Sequence, residues 1–318
     1  MPLWPAIPGI ERCAERKRRL NILITLDRNY LEALKVMLGS MYLNNPCESF
    51  DIYFIADGIS ERDLSCLDAL CPDGGVRYHF LSLPEDCFRD APENRYYSRA
   101  MYYRLLAPQI LSRDMERILY IDPDTLIINS LRELYETDFQ GHLYAAAMHK
   151  GITGISGPLG KIRLPENESR DYFNSGVLLM NLPRLREAIN PQDIFSYVEK
   201  YHAALILPDQ DVLNALYGEK ILPIDEMRWN YDARDYNFYL LISQGEADMD
   251  WVMENTAILH FCGKHKPWQK GCRTRFAALY KHYRSLVFRC CEQEQAHRRE
   301  SINALQRLIA LERNHTMI

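Results

Sequence analysis

Two aspartates separated by one residue, Asp122 and Asp124, follow the predicted strand 117–121, which is apolar after its first residue. Side chains at positions i and i+2 of an extended segment point to the same side, so the two carboxylates are predicted to converge where this strand ends. Two carboxylates at one point repel each other unless a cation lies between them. Mg²⁺ or Mn²⁺, which can also bridge a diphosphate, suits such a pair. The alternative is that one aspartate caps the turn and the other is solvated.

A second candidate segment covers residues 258–268, where an apolar stretch ends in His260 and a glycine turn with lysines follows. An imidazole added to two carboxylates favours Mn²⁺ over Mg²⁺, because nitrogen ligands suit transition metals. Gly263 would let backbone N–H groups approach a phosphate, and Lys266 would supply a point charge for it. The alternative interpretation is a core histidine beside a surface turn.

Two further polar groups stand at the start of regular segments. Residues 208–211 (Pro-Asp-Gln-Asp) begin a helical pattern, where acids often serve only as N-caps, although a glutamine between two aspartates is less expected of a simple cap. Residues 174–176 (Asn-Ser-Gly) form a polar corner that opens an apolar strand. Asn174 would either bind a sugar hydroxyl there or make the turn.

The elements that must position these side chains alternate in type along the first half of the chain. Strands that alternate with helices and are apolar throughout predict an α/β fold with a mostly parallel sheet covered on both faces. Ligands bind such sheets at the carboxyl ends of the strands, where Asp122 and Asp124 stand. The predicted strands are Leu20–Leu26, Asp51–Ala56, Val76–Leu81, Arg117–Ile121, Leu143–Met148, Val177–Asn181 and Ala257–Phe261. The predicted helices are Leu31–Leu43, Glu61–Leu70, Tyr102–Leu111 with an interruption near Pro108, Asn190–Leu205, Asp211–Tyr217 and the chain from Thr274 onward. Residues 151–170 are predicted to be a mobile loop.

Composition narrows the class of protein. The 318 residues carry a net charge of -5, which argues against a nucleic-acid partner. No apolar run is long enough to span a bilayer. The 9 cysteines are scattered without a repeated spacing, which favours reduced thiols in the cytoplasm over a secreted disulfide framework. Residues 1–19 lack the order of a signal peptide and are interpreted as a leader.

The order and spacing of these segments together resemble glycosyltransferase family 8, the family of the bacterial lipopolysaccharide galactosyltransferases and of glycogenin, over about residues 20 to 270. The resemblance implies a GT-A type Rossmann-like nucleotide-sugar domain at residues 20–272, followed by a helical C-terminal extension at 273–318. It also implies transfer of a hexose from a UDP-sugar, retention of the anomeric configuration and dependence on Mn²⁺, with Mg²⁺ as the alternative ion.

The resemblance gives a role to each matching residue. Asp122, Asp124 and His260 match the metal ligands of the family. Asp209 and Gln210 match residues that hold the donor hexose, and they would stabilise the cationic sugar during a front-face displacement. The residues that match the donor site are Thr25, Asp27, Asn29, Tyr30, Arg104, Asp122, Asn174, Gly263 and Lys266. Within that set, Asp27 would accept from the uracil N–H and Tyr30 would stack on the uracil ring. Asn29 would lie near the ribose, and the neighbouring Arg28, which stands where several relatives carry an acid, bears on that ribose contact.

Three matters stay open from the sequence. A phosphohydrolase of the haloacid-dehalogenase type, with Asp248 or Asp250 as its second acid, and a nucleotide-sugar-binding scaffold without turnover are the competing functions. The apolar stripe in residues 301–313 is consistent with packing on the domain, with a homodimer or with peripheral contact at the inner face of a membrane. The donor, glucose or galactose, and the glycan acceptor are not specified by these motifs.

Overall fold

The computed structural model describes residues 19–26, 28–56, 59–70, 75–81, 100–148, 171–272 and 274–315. Most of the predicted leader, Asp27 and the predicted loop at 151–170 lie outside these ranges. Among the described helices, none is both long and apolar enough to cross a membrane.

Seven strands form one mixed sheet, in the order β3-β2-β1-β4-β7-β6-β8. Strands β3, β2, β1 and β4 are mutually parallel, β7 is antiparallel to both β4 and β6, and β8 is parallel to β6. The predicted mostly parallel sheet is therefore confirmed. The strands are β1 (Leu20–Leu26), β2 (Phe50–Ala56), β3 (Val76–Phe80), β4 (Arg117–Ile121), β6 (Tyr144–Met148), β7 (Phe173–Asn181) and β8 (Ile221–Ile224).

A second sheet of three strands lies beside the first and carries the histidine of the candidate site. Its order is β5-β10-β9, formed by β5 (Thr125–Ile127), β10 (Ile258–His260) and β9 (Tyr231–Asp232). The chain passes from the large sheet to the small one between Ile121 and Thr125. Because His260 pairs with Thr125, the histidine is fixed next to this crossing.

Helices cover both faces of the large sheet, and two buried apolar clusters fill the spaces between them. The helices are α1 (Leu31–Asn44), α2 (Glu61–Leu64), α3 (Ala100–Ile110), α4 (Arg132–Tyr135), α5 (Leu182–Ala188), α6 (Pro191–Tyr201), α7 (Pro208–Tyr217), α8 (Glu226–Trp229), α9 (Tyr236–Ile242), α10 (Met249–Asn255) and α11 (Ala277–His315). Short 3-10 turns cover Arg28–Tyr30, Ser65–Leu70 and Gly218–Lys220.

Some elements, such as β8 and α5, were not predicted from the sequence, and three predicted elements differ in detail. Helix α3 continues through Pro108 to Ile110, because a proline in the last turn removes only one backbone bond. The expected corner at residues 174–176 belongs to β7, whose first eight residues are all buried. The predicted helix at Glu61–Leu70 changes from α to 3-10 geometry after Leu64.

The long C-terminal helix α11 begins against the domain. The Tyr283 hydroxyl accepts a hydrogen bond from Asn44 Nδ2 at 2.8 Å, and Arg284 pairs with Glu32 on α1. A Cβ on Gly39 of α1 would lie 2.3 Å from a methyl carbon of Val287, so the two helices require a glycine at their crossing. The side chains of residues 301–313 lie outside the described part of the structure, so the predicted roles of this stretch stay predictions.

Candidate active site

Asp122, Asp124 and His260 converge at the crossing between the two sheets. Each offers one ligand atom, and these atoms lie within 4.8 Å of one another. His260 Nε2 is 3.9 Å from Asp122 Oδ2 and 3.4 Å from Asp124 Oδ1. The convergence is as predicted, but its cause is different: β4 ends at Ile121. A turn, not an extended strand, brings the two carboxylates together.

Two neighbouring residues, Asn230 and Gly176, make these three side chains suitable as ligands of a metal ion. Asn230 Oδ1 lies 2.8 Å from His260 Nδ1, and a proton on that nitrogen leaves Nε2 as the ligand atom. Gly176 forms the floor of the cluster, since a Cβ there would lie 2.3 Å from His260 Cε1 and 2.7 Å from Asp122 Oδ2. Two carboxylates and one imidazole form a donor set suited to Mn²⁺, and the missing side chain at position 176 leaves the space they need.

Two cationic side chains neutralise the aspartates. Lys266 Nζ bonds Asp124 Oδ2, and it also donates to the Phe261 carbonyl at 2.8 Å. Burial alone would raise the pKa of Asp124, but His260 and Lys266 outweigh it and hold that pKa well below its usual range. Burial raises the pKa of Asp122 despite the Arg104 guanidinium, whose Nη2 lies 3.1 Å from Asp122 Oδ1.

Arg104 also connects the three side chains of the candidate metal site to the first turn of α7. Its Nη1 lies 2.9 Å from Asp209 Oδ2 and donates to the Ser175 carbonyl at 3.0 Å. The Ser175 hydroxyl donates to the same Asp209 oxygen at 2.9 Å, and the Ser175 amide donates to Gln210 Oε1 at 3.2 Å. Arg104, Asp122, Asp209 and Gln210, which are far apart in sequence, therefore form one continuous polar network.

The acids of α7 divide into two kinds. Asp211 is structural, because its Oδ2 accepts from the backbone N–H groups of Ile206 and Leu207 at 2.7 and 3.0 Å. Asp209 makes no such cap and points to the network instead. The amide nitrogen of Gln210 is buried and has no hydrogen-bond partner among the described residues. A buried donor without a partner is costly, and a bound ligand would satisfy it.

The other predicted donor-site residues surround the cluster to different degrees. Thr25 Oγ1 is 3.0 Å from the Tyr120 hydroxyl, and Asn174 Oδ1 accepts from the Gly176 amide at 2.8 Å. Asn29 is exposed on the turn that follows β1. Tyr30 lies edge-on to Trp268, with ring centroids 6.0 Å apart, which places the predicted uracil-stacking ring beside the loop that carries Lys266.

Several contributors were not identified from the sequence. Tyr120 and Asn230 contact metal-cluster side chains, Ser175 joins Asp209 to Gln210, and Gly176 lies under the ligands. Gly176 and Ser175 stand in a noted motif, but their partners come from distant segments. Asp248, an alternative acid for phosphohydrolase chemistry, instead caps α10 by accepting from Trp251 N at 2.9 Å.

Tyr120 contacts a carboxylate of the candidate metal site. Its buried hydroxyl donates to Asp122 Oδ1, and the guanidinium carbon of Arg104 lies 4.4 Å from its ring centroid. We expect Tyr120→Phe to weaken Mn²⁺ binding by about tenfold or more, since residues that orient ligands contribute about 10- to 100-fold to metal affinity. Titration of Mn²⁺ by calorimetry or electron paramagnetic resonance would measure this change.

Tyr144→Phe provides the matched control for that variant. Tyr144 is also fully buried, but its hydroxyl has no hydrogen-bond partner among the described residues. Its removal should leave Mn²⁺ affinity unchanged and should not lower the free energy of unfolding. Equal effects of the two variants on Mn²⁺ affinity would contradict the positioning role of Tyr120.

A separate cavity of about 550 Å³ lies at the opposite edge of the sheet, where β6 begins. Arg184, Lys220, Glu187 and Glu219 contribute charges of both signs to its lining. None of the network residues lines this cavity. The polar network around Asp122, Asp124 and His260 therefore lies apart from this cavity.

A Rossmann-like mixed sheet with two aspartates and a histidine at the carboxyl ends of its strands, next to basic side chains, defines the GT-A type of glycosyltransferase. The family model described as "Glycosyl transferase family 8" matches residues 21–272. The chain therefore belongs to glycosyl transferase family 8 and is a glycosyltransferase.

The relatives of this chain include a protein that is named as a glucosyltransferase. General stress protein A of Bacillus subtilis is 27% identical over 277 residues, which cover 84% of this chain and 93% of that protein. Lipopolysaccharide 1,2-glucosyltransferase of Escherichia coli K12 is 28% identical over 276 residues, which cover 82% of this chain and 76% of that protein.

The fold is also that of a solved glycosyltransferase. The crystal structure of the galactosyltransferase LgtC in complex with donor and acceptor sugar analogues superposes with a TM-score of 0.68 at 25% identity. The superposition covers 84% of this chain and 95% of that one. The GT-A fold predicted from the sequence is thereby confirmed.

Proposed function

We propose that this protein transfers glucose or galactose from a UDP-sugar to a glycan acceptor, with retention of the anomeric configuration and with Mn²⁺ as the resident ion. The observation that carries the proposal is the convergence of Asp122, Asp124 and His260 within 4.8 Å, directly beside Lys266 and Arg104. Two acids and an imidazole surrounded by cations suit a metal-bound diphosphate. Relatives that are named as glucosyl- and galactosyltransferases support the hexose.

The residues of the chain divide the work of the reaction. Asp122, Asp124 and His260 would hold the ion, which supplies Lewis-acid stabilisation to the departing diphosphate when it is bound. Lys266 would add a point charge for the same anion. Thr25, Asp27, Asn29 and Tyr30 would hold the uridine, and Gly263 would admit the diphosphate to the backbone.

Asp209 and Gln210 would stabilise the sugar as it becomes cationic. The described contacts of the Asp209 carboxylate use Oδ2, so that Oδ1 is available for the sugar. An amide such as that of Gln210 is a poor nucleophile. We therefore favour a front-face displacement, in which the acceptor hydroxyl attacks as UDP departs and its proton passes to the leaving phosphate oxygen. Isolation of a peptide glycosylated on Asp209 would contradict this mechanism.

Substitution of Gln210 tests the sugar contact. In Gln210→Glu the carboxylate can still accept from the Ser175 amide, so the variant removes the amide N–H groups while it keeps the local fold. Loss of a preorganised donor typically costs about 10²- to 10³-fold in kcat, and we expect a decrease of that size in sugar transfer. Gln109→Ala, which removes an amide from the end of α3, is the control and should keep full activity.

The competing phosphohydrolase function is tested by a generic phosphomonoester. We expect no metal-dependent phosphate release from it, because the proposed site requires a nucleotide.

The acceptor is proposed to be a cell-envelope glycan, since a relative is named as a lipopolysaccharide glucosyltransferase. A cytoplasmic location stays a prediction. A homodimer through α11 and a peripheral membrane contact also stay predictions, which sizing and liposome flotation of a chain truncated before Arg298 would test.

A further inference from the structure

Arg234 lies next to the candidate metal site but takes part in none of the hydrogen bonds that join Arg104, Asp122, Asp209 and Gln210. Asp232 on β9 pairs with His260 on the parallel neighbouring strand β10, so both side chains point to the same face of the small sheet. Arg234 turns back over Asp232, with its Nε 2.9 Å from Asp232 Oδ1. Its Nη1 would lie 2.7 Å from a Cβ placed on Gly263, in the loop that leads to Lys266.

The guanidinium is held rigidly by one of its edges. The Asp232 side chain is only 2% exposed and binds Nε and Nη2, whereas the Arg234 side chain is 45% exposed. Among the described residues, Nη1 donates no hydrogen bond. A planar fork that is fixed at one edge and open at the other binds a carboxylate or phosphate with little loss of conformational entropy.

The open edge of the Arg234 guanidinium is distinct from the groups proposed to bind the donor. In the proposed donor site, Lys266 and the metal ligands would account for the charge of a diphosphate. Arg234 follows β9, the strand next to His260 on β10, and its Nη1 extends to the position that a Cβ on Gly263 would contact. A second anion would therefore be bound at the margin of the reaction centre, where an acceptor must approach the sugar.

We propose that Arg234 selects an acceptor that carries an anionic group, a phosphate or a carboxylate, close to the hydroxyl that receives the sugar. This inference rests on the proposed function, because it requires a nucleotide-sugar at the metal cluster. Gly263 is part of this proposed anion site, because a side chain at this position, where φ is 80°, would displace the Arg234 guanidinium. Asp232 is a positioning residue that holds the guanidinium in place.

The test compares glucose with glucose 6-phosphate as probes of donor turnover, measured as UDP release from the UDP-sugar that the enzyme hydrolyses. A sugar that occupies the acceptor position either receives the hexose or excludes water, so it changes the rate in either case. We expect glucose 6-phosphate to act at a concentration about tenfold or more below that of glucose, as a charge-assisted hydrogen bond allows. Inorganic phosphate at the same concentration shows whether a free anion alone has this effect.

Variants assign the effect to the residue. Arg234→Leu should abolish the difference between the two sugars while it leaves the KM of the donor in simple hydrolysis unchanged, and Arg234→Lys should keep part of the difference. Arg284→Leu is the matched control, because its side chain is 44% exposed and also paired with an acid, at α1.

The results that overturn the inference are distinct from those that overturn the proposed function. Equal action of the two sugars on the wild-type protein, an equal effect of inorganic phosphate, or a raised donor KM in Arg234→Leu would each refute the acceptor role of Arg234. Absence of any UDP release from the wild-type protein would instead refute the proposed function.

Discussion

Asp124→Ala is expected to reduce metal-dependent donor turnover by at least about a thousandfold, because the site loses one of its carboxylate ligands and the several kcal/mol of charge stabilisation that depend on it. Asp124 also fixes Lys266 Nζ, so the phosphate-binding charge loses its position in the same variant. The Asp124 carbonyl continues to accept from Phe261 N at 3.0 Å, since that bond uses the backbone. We therefore expect the variant to fold.

Steady-state UDP release, Mn²⁺ titration and thermal unfolding would be measured on the same preparation. Asp138→Ala is the control, because it removes an exposed aspartate whose contact is a turn amide, that of Gln140 at 3.0 Å. The control should keep wild-type turnover. An Asp124→Ala protein that is unfolded, or one that turns over normally, would contradict the assignment of this residue.

Gly176→Ala should reduce turnover by about a hundredfold or more, although it adds only one methyl group. The added Cβ would lie 2.3 Å from His260 Cε1 and 2.7 Å from Asp122 Oδ2, so at least one ligand must move. A displacement of about 1 Å at a reacting centre costs roughly a hundredfold in rate. Metal affinity should fall together with activity, and the strain of overpacking should lower the free energy of unfolding by about 1–3 kcal/mol.

Gly245→Ala shows what a glycine substitution does away from the site. Gly245 has a φ of 94° and no atom within 4 Å of an added Cβ, so its replacement strains the backbone without displacing a neighbour. This control should lose stability by about 1 kcal/mol but keep full Mn²⁺ affinity. If Gly176→Ala also kept its Mn²⁺ affinity, the ligand geometry would not depend on the floor that Gly176 provides.

The central strands of the large sheet could be predicted because their burial is continuous, whereas the edge strand β8, which is only partly buried, was not predicted. Strand β1 has the predicted bounds Leu20–Leu26, and β4 has the predicted bounds Arg117–Ile121. Both are central in the sheet, and a central parallel strand is apolar on both faces, which is visible in the sequence. Strand β7 begins four residues earlier than predicted, because the polar side chains of Asn174 and Ser175 are buried there. The Asn174 side chain bonds the Gly176 amide, and the Ser175 hydroxyl bonds Asp209 on α7.

The three residues of the candidate metal site could be proposed from the sequence, because Asp122 and His260 end apolar runs and Asp124 stands two residues after Asp122, but the residues that contact them could not. Tyr120 resembles any core tyrosine until its hydroxyl is seen next to Asp122, and Asn230 resembles a loop residue until it contacts His260. Pairings between positions so distant in sequence depend on the crossing of two sheets, which periodicity does not encode. The same is true of the division of labour between Asp209 and Asp211, which have the same chemistry and stand two residues apart.

In the proposed reaction, Asp122, Asp124 and His260 activate a UDP-sugar with the help of a divalent ion. The most direct measurement is UDP release from a panel of UDP-sugars that includes UDP-glucose and UDP-galactose, with and without Mn²⁺ and with no acceptor added. We predict slow hydrolysis of one of these donors that requires Mn²⁺. Absence of UDP release from every donor, together with absence of donor binding by calorimetry, would contradict the claim.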